Sequence, residues 1–337
     1  MASRVGSPRV SSGWFMDAFK PQLVTVFGAT GFIGRYVVRA LAKRGYRIRA
    51  ATRRPDLAGH LQPMGHYGQI VPVQANLRYP WSVDRAVEGA DHVVNLVGIL
   101  ASSGKQTFDS VQRRGSMAVA DAAVRENASL TQVSAIGASM RSEAEYARSK
   151  AQAEQHIRDV RPDAVILRPS VVFGPEDDFF NRFAAMARIS PFLPIIGGGR
   201  TRFQPVYVGD IAEAVARSVD GRARPGTTYE LGGPDVATFR ECMELLLKAI
   251  DRRRLLLPVP FWAAKLLAGV AQYAPGQPLT PDQVVLLRSD NVVGEPARRE
   301  GRTLQGLGIE PASMAAVIPT YLVRFRPYGQ YEPSRGL

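Results

Sequence analysis

The sequence has few cysteines, histidines and acidic residues. A single cysteine, Cys242, excludes an intramolecular disulfide and a cysteine-based zinc site, and it fits a buried thiol in a reducing compartment. No metal site is predicted, because metal-ligand spacing is lacking among the histidines His60, His66, His92 and His156. The 43 Lys and Arg against 30 Asp and Glu give a net charge of +13, which favours phosphate-bearing partners, an anionic membrane surface or acidic proteins.

Long hydrophobic runs are also absent. The most apolar stretch, residues 255–274, is interrupted by Pro258, Pro260 and Lys265, so it is not a membrane-spanning helix and the protein is expected to be soluble or peripheral. No motif or aromatic-rich basic stripe indicates nucleic-acid binding. Residues 1–20 carry no acid before Asp17, which predicts a disordered lead, and a transit peptide is the alternative. Met16 is a second candidate for the start of translation.

The 337 residues are 45% hydrophobic, enough for one large α/β domain or a domain with a smaller lobe. Short β-branched runs alternate with helical patterns, which is typical of βαβ units around a parallel sheet. Six strands are predicted at 23–27, 46–52, 69–75, 91–98, 130–135 and 163–169. Helices are predicted at 35–45, 82–88, 108–127 and 146–160, and further helices beyond Phe173, in a smaller C-terminal lobe, at 209–219, 238–250 and 260–273.

Three glycines connect the first strand to the first helix. Such a turn lets the backbone approach a pyrophosphate, and the helix N-terminus supplies N–H donors. The pattern predicts a Rossmann-type doubly wound parallel sheet that binds a dinucleotide. We expect contacts from Gly28, Thr30, Gly31, Phe32, Ile33 and Gly34.

The second strand ends in Thr52-Arg53-Arg54, where an NAD enzyme would carry an acid for the ribose 2′-hydroxyl. Arginine suits a 2′-phosphate, so NADPH is the predicted cofactor, and two solvated surface arginines are the alternative.

The predicted divisions are a lead (1–20), an NADP-binding domain (21–175), a C-terminal lobe (176–325) and a tail (326–337). The cofactor site is completed by residues after later strands: Asn76, Leu77, Asn95, Val97, Gly98, Pro169 and Val172.

Ser134, Tyr146 and Lys150 form a candidate catalytic set. Tyr146 and Lys150 are four residues apart on a predicted helix and so share a face. The Lys150 cation is expected to lower the pKa of Tyr146 for proton transfer, while Ser134 would hydrogen-bond a substrate carbonyl. Both Tyr146 and Lys150 are also expected to contact the cofactor. The alternative is a solvated lysine beside a packed tyrosine.

The glycine turn together with Ser134, Tyr146 and Lys150 resembles the short-chain dehydrogenase/reductase superfamily over roughly residues 23–235. Further segments resemble one atypical branch, the NADPH-binding accessory subunits of respiratory complex I known in mitochondria as alpha subcomplex subunit 9. These segments are residues 168–177, 203–212, 278–280, 282–284 and 289–291.

The resemblance implies a cofactor held for structural stabilisation and assembly, with little or no turnover. It also implies other complex I subunits near the quinone-binding module as partners. The expected location is peripheral, on the cytoplasmic face of a bacterial inner membrane or the matrix side of a mitochondrial one. A free NADPH-dependent reductase of a hydrophobic carbonyl or quinone-like compound is the alternative function.

One departure from a family pattern and one feature of the C-terminal lobe bear on these expectations. Sugar-nucleotide epimerases carry an Asn where this chain has Val171, which argues against sugar-nucleotide chemistry. Residues 252–273 combine three arginines with a long apolar stretch, which suits a membrane interface or another subunit. An ordinary core helix is the alternative for that stretch.

Overall fold

The computed structural model describes residues 21–274 and 279–329. The predicted lead and most of the predicted tail therefore lie outside the described residues. The strands are β1 Leu23–Phe27, β2 Arg47–Thr52, β3 Ile70–Gln74, β4 His92–Asn95, β5 Ser129–Val133, β6 Val165–Pro169, β7 Val172–Phe173, β8 Phe192–Ile196, β9 Arg202–Phe203, β10 Val206–Tyr207, β11 Thr228–Leu231, β12 Ala237–Thr238 and β13 Leu255–Val259.

A seven-stranded parallel sheet forms the centre of the molecule, in the order β11-β6-β5-β4-β1-β2-β3. The Rossmann-type fold and its six predicted strands are confirmed. The seventh strand, β11, was not predicted, because four residues that include Glu230 do not make a buried β-branched run. The boundary at residue 175 stays a prediction, although β11 lies beyond it in sequence and belongs to this sheet.

The described helices flank the sheet or build the C-terminal part of the molecule. They are α1 Phe32–Lys43, α2 Pro80–Val87, α3 Arg114–Arg125, α4 Glu145–Val160, α5 Phe179–Ile189, α6 Val208–Val219, α7 Phe239–Ala249, α8 Phe261–Ala271, α9 Pro281–Leu286, α10 Glu295–Arg299 and α11 Met314–Leu322. The predicted helix over 108–127 begins instead with a π-helical segment, Phe108–Arg113, before α3. Helices α5, α9, α10 and α11 were not predicted.

Apolar side chains cover both faces of the sheet. On one face α1 and α6 pack against each other and over the sheet, and Val26, Leu41 and Ile211 belong to the same buried cluster. On the other face, α2, α3 and α4 close a second cluster that contains Phe27 and Ile157. A third cluster fills the C-terminal part, and its members include Phe180, Phe239, Ile318 and the predicted core thiol of Cys242.

A C-terminal segment that contains Asn291 is hydrogen-bonded close to the carboxyl ends of two central strands, β5 and β6. Ser170, directly after β6, donates its hydroxyl to the side-chain oxygen of Asn291 at 2.6 Å and to its backbone oxygen at 2.9 Å. The Asn291 amide donates to the backbone oxygen of Ile136, close after β5. Asp290 accepts two hydrogen bonds from Arg202. These bonds tie residues 290–291 to the rest of the fold.

A buried ion pair joins helix α4 to the sheet. Glu154 of α4 is 1% exposed and accepts two hydrogen bonds from Arg168 of β6, at 2.9 and 2.6 Å. Arg158 also donates to Glu154, and Glu230 of β11 lies 3.8 Å from Arg168. A carboxylate taken out of water in this way depends on its partners for compensation.

We expect Arg168→Met to lower the free energy of unfolding by about 3 kcal/mol, because the buried Glu154 carboxylate then keeps only its bond from the more exposed Arg158. Urea unfolding measures the change. Arg299→Met, which breaks an exposed pair with Glu295, is the control and should cost less than about 1 kcal/mol. Equal losses in the two variants would contradict a special role for the buried pair.

Candidate nucleotide-binding site

The turn after β1 has no room for a side chain at Gly28 or Gly34. Gly28 has φ +80°, a conformation that favours glycine. A Cβ on Gly34 would lie 2.0 Å from the carbonyl oxygen of Gly28, so the first turn of α1 packs directly on the loop before it. Helix α1 has neither a side-chain cap at Gly31 nor an acid in its first turn. Its N–H groups and partial positive charge therefore suit an anion such as a pyrophosphate.

This turn lies where the strand order reverses, between β1 and β4. In doubly wound sheets the crevice at this point, outside the carboxyl ends of the strands, is the usual nucleotide site. A Cβ on Gly28 would meet the Val97 side chain at 3.3 Å, and the Asn95 side chain accepts a hydrogen bond from the Val97 N–H. Thr30 and Thr52 approach each other to 3.4 Å between their hydroxyls. The structure thus brings together residues predicted from three strand ends.

The two arginines after β2 differ in their partners. Arg54 forms an ion pair with Asp56, with a shortest nitrogen–oxygen distance of 2.8 Å, so its charge is largely compensated. Arg53 donates to the neutral Gln106 amide oxygen at 2.5 Å. Among the described residues Arg53 has no carboxylate partner, which makes it the better candidate for a phosphate.

Several other predicted contacts are packed against the protein itself. Leu77 is buried beneath α3, where a Cβ on Gly115 would approach it to 2.8 Å. The Asn76 side chain accepts a hydrogen bond from the Arg78 N–H. The remaining four predicted contacts have apolar side chains that pack on neighbouring residues or fill the core, namely Phe32, Ile33, Pro169 and Val172.

Ser134, Tyr146 and Lys150 lie at the ends of β5 and α4. Lys150 is buried, and its ammonium donates to the backbone oxygen of Val133 at 3.2 Å. A Cβ on Gly98 would lie 3.3 Å from this ammonium nitrogen. The buried Ser134 hydroxyl has no hydrogen-bond partner within the described part of the chain. A buried donor without a partner is costly, so this hydroxyl suits a bound ligand.

The expected lowering of the Tyr146 pKa is wrong for the nucleotide-free chain. Burial raises the pKa of Tyr146 to about 12, and the nearby Asp282 carboxylate adds to the increase. Burial also lowers the pKa of Lys150 to about 8, which Glu154 partly opposes. Both shifts follow from removing a charged form from water. Tyr146 packs edge-on against Phe108, with ring centroids 6.0 Å apart.

Four features fit a dinucleotide: a turn with closely packed glycines, an uncapped helix start, an arginine with a neutral partner and a buried hydroxyl without a hydrogen-bond partner. The described ranges contain no group of three His, Cys, Asp or Glu placed to hold a metal ion. Val171, at the position of the sugar-nucleotide asparagine, packs against the C-terminal apolar cluster.

Sequence reasoning missed the contacts that three residues make at the site, although one of them, Asp282, lies in segment 282–284. Gln106 holds Arg53. Gln112 accepts from the Ile99 N–H and donates to Ser149 on α4. Asp282 accepts hydrogen bonds from the backbone at the start of α4. None is close in sequence to its partner, so no spacing rule would have found them.

Comparisons with known proteins agree with this geometry. The family model described as "NAD dependent epimerase/dehydratase family" matches residues 24–232. The mitochondrial NADH dehydrogenase [ubiquinone] 1 alpha subcomplex subunit 9 of Arabidopsis thaliana is 33% identical over 320 residues, covering 91% of this chain and 79% of that protein. The mitochondrial NADH-ubiquinone oxidoreductase 40 kDa subunit of Neurospora crassa is 30% identical and covers 98% of this chain and 86% of that protein.

A reductase is also among the relatives. The ceramide reductase of Caulobacter vibrioides is 33% identical over 190 residues, covering 56% of this chain and 58% of that protein. Among solved structures, the NADPH complex of the NADPH-dependent quinone oxidoreductase of Escherichia coli superposes with a TM-score of 0.69 at 19% identity, covering 88% of this chain and 99% of that one. At this identity the superposition supports the fold alone.

The Lys150 pKa predicts a pH-dependent stability in the nucleotide-free protein. The folded-state pKa of about 8 lies below the ordinary value of 10.5, so the unfolded chain binds more protons between these two values. The stability of the wild type relative to Lys150→Met should therefore rise with pH across this window, by at most about 3 kcal/mol. Urea unfolding of both proteins at intervals of pH measures the difference, and a difference that does not change with pH would contradict the prediction.

Proposed function

The chain belongs to the NAD dependent epimerase/dehydratase family and, within it, to the family of alpha subcomplex subunit 9 proteins, and from this membership we propose that it is an NAD(P)-binding accessory subunit of respiratory complex I. The observation that carries the proposal is the extent of the match, which covers 98% of this chain in one relative and so includes the C-terminal part. There Asn291 holds the ends of β5 and β6, and Asp282 caps α4.

The site's own residues support retention of the nucleotide more than turnover. Gly28, Gly31 and Gly34 would hold the pyrophosphate, while Tyr146 and Lys150 would hold the nicotinamide ribose. Bound NADPH would supply a hydride. General acid catalysis is most efficient when the pKa lies near the operating pH, and the Tyr146 pKa of about 12 is far above it.

The cofactor specificity that we propose is for NADPH, held through Arg53. This side chain has a neutral partner at 2.5 Å, whereas the neighbouring Arg54 is paired with Asp56. Its guanidinium is thus available to a 2′-phosphate without breaking an ion pair.

The partners that we propose are other complex I subunits near the quinone-binding module, together with an anionic membrane surface. The location would be peripheral, on the cytoplasmic face of a bacterial inner membrane or the matrix side of a mitochondrial one. Within the described ranges, no helix has both the length and the apolar character to cross a bilayer. Helix α8 supports a surface contact, because Trp262, Leu266 and Val270 recur along one face and are each more than two-thirds exposed.

A second candidate function is a free NADPH-dependent reductase of a hydrophobic carbonyl or quinone-like compound. It is favoured by the unpartnered Ser134 hydroxyl, which is free to bind a carbonyl oxygen beside Tyr146. The similarity to a ceramide reductase, a protein named for a lipid substrate, supports the same candidate.

Deletion of the gene tests the two functions together. We expect the deletion strain to lose assembled complex I and NADH-dependent respiration, and both to return with the wild-type gene. Tyr146→Phe should also restore both, because the proposed role needs no proton transfer from Tyr146. Normal assembly in the deletion strain would contradict the proposal. Assembled complex without respiration in Tyr146→Phe would favour catalysis, where the lost proton transfer typically costs about 10²–10⁴-fold in rate.

The NADPH proposal predicts that Arg53→Asp weakens NADPH binding by about 10- to 100-fold, as expected for a lost charged hydrogen bond of roughly 1.5–3 kcal/mol. NADH binding should change little, since NADH lacks the 2′-phosphate. Fluorescence titration with both nucleotides measures the preference. Arg54→Asp is the matched control, and an equal loss of NADPH affinity in both variants would rule out a specific role for Arg53.

A further inference from the structure

The first turn of α4 is capped by a residue from the C-terminal part of the chain. One oxygen of the Asp282 carboxylate accepts the N–H of Glu145 at 2.7 Å, and the other accepts the N–H of Tyr146 at 3.1 Å. Ala144, at the start of the helix, offers no side-chain cap. A carboxylate at this place satisfies unpaired N–H groups and meets the positive end of the helix dipole. Asp282 therefore fixes the turn that carries Tyr146, with Lys150 one turn further on.

Helix α9, which carries Asp282, rests on α8. The capping box of Thr280 and Gln283 sets the start of α9. Val284 is fully buried against Ala264 and Ala268 of α8. This cluster is small and is separate from the three larger cores. Units with few buried apolar contacts shift at low free-energy cost.

The outer side of the same two helices forms a shallow apolar hollow with a basic edge. Trp262 and Leu266 of α8 and Pro281 of α9 line it, together with Lys265 and Arg288. Residues 252–281 contain three arginines and a lysine but no acid. This charge complements an anionic surface. An occupant of the hollow would touch Pro281, the neighbour of Asp282.

We propose that Asp282 is a positioning residue that links this hollow to the nucleotide site. An anionic lipid surface seated on α8 and α9 holds Asp282 on the first turn of α4 and so slows NADPH release. The slower release raises the NADPH affinity, and bound NADPH strengthens lipid binding by the same factor as that affinity rises, because the coupling between two binding equilibria is reciprocal. The inference rests on the proposed membrane contact and extends it to regulation of cofactor retention.

The position of the Asp282 charge agrees with the proposed positioning role of this residue. The Asp282 carboxylate adds to the raised pKa of Tyr146 and so keeps the phenol neutral. A neutral phenol can still donate a hydrogen bond to a ribose oxygen. One side chain thus orients the turn and keeps its tyrosine in the form suited to holding a nucleotide.

The test measures NADPH dissociation from the holoprotein by nucleotide fluorescence, in solution, on phosphatidylcholine vesicles and on vesicles that also contain phosphatidylglycerol. We expect the anionic vesicles alone to slow dissociation from the wild type, by about 5-fold or more. Asp282→Asn removes the charge and one acceptor oxygen, and should bring the ratio of the rates close to one. Asp235→Asn removes an exposed carboxylate of the same lobe and should leave the ratio unchanged.

Vesicle flotation of the same proteins measures lipid binding separately from the effect of lipid on NADPH release. Asp282→Asn should still bind anionic vesicles, whereas Leu266→Glu should lose vesicle binding and keep the wild-type dissociation rate in solution. An unaltered rate ratio in Asp282→Asn would overturn the role of Asp282. A wild type that responds to no vesicle, or equally to both kinds, would overturn the lipid as occupant.

The complex I assignment is judged by a different measurement. Gene deletion and co-purification report on assembly, whereas the linkage is measured on the isolated holoprotein. A protein that shows the lipid linkage but does not associate with complex I would refute the proposed function and leave this inference standing.

Discussion

The buried pair of Glu154 and Arg168 is the interaction on which the geometry of the site depends. It fixes α4 against β6, and α4 carries both Tyr146 and Lys150. Glu154 also lies near Lys150, where its charge partly opposes the lowering of the Lys150 pKa. Breaking such a pair is costly, because the buried Glu154 carboxylate would lose its main partner.

The site contains the Ser134, Tyr146 and Lys150 set of a reductase, but its surroundings suit retention of a nucleotide. Burial and a neighbouring carboxylate move the Tyr146 pKa away from the range in which it would exchange protons efficiently. The glycine turn and Arg53 retain the features that bind a nucleotide. A ligand that binds only the folded state stabilises it by about 2.7 kcal/mol at 100-fold excess over Kd. A retained nucleotide would therefore act as part of the fold.

Local patterns predicted most of the sheet, because buried strands and amphipathic helices leave a periodic signal in the sequence. The glycine turn and the set of Ser134, Tyr146 and Lys150 were also predicted from local sequence, because each requires particular residues at short spacings. The missed features depend on distant contacts. Asp282 meets Tyr146 across 136 residues of chain, and Arg53 meets Gln106 across 53. No short window contains both partners of either contact.

The seventh strand has a consequence for how the protein is made. Until β11 emerges from the ribosome, β6 has an open edge with unpaired backbone groups, and the ends of β5 and β6 wait even longer for Asn291. The glycine turn, by contrast, is complete within the first few dozen residues. Because exposed parallel edges are prone to wrong pairing, the nascent chain has to protect this edge while residues 170–231 are synthesised. An early-bound nucleotide or a chaperone would be most valuable during that interval.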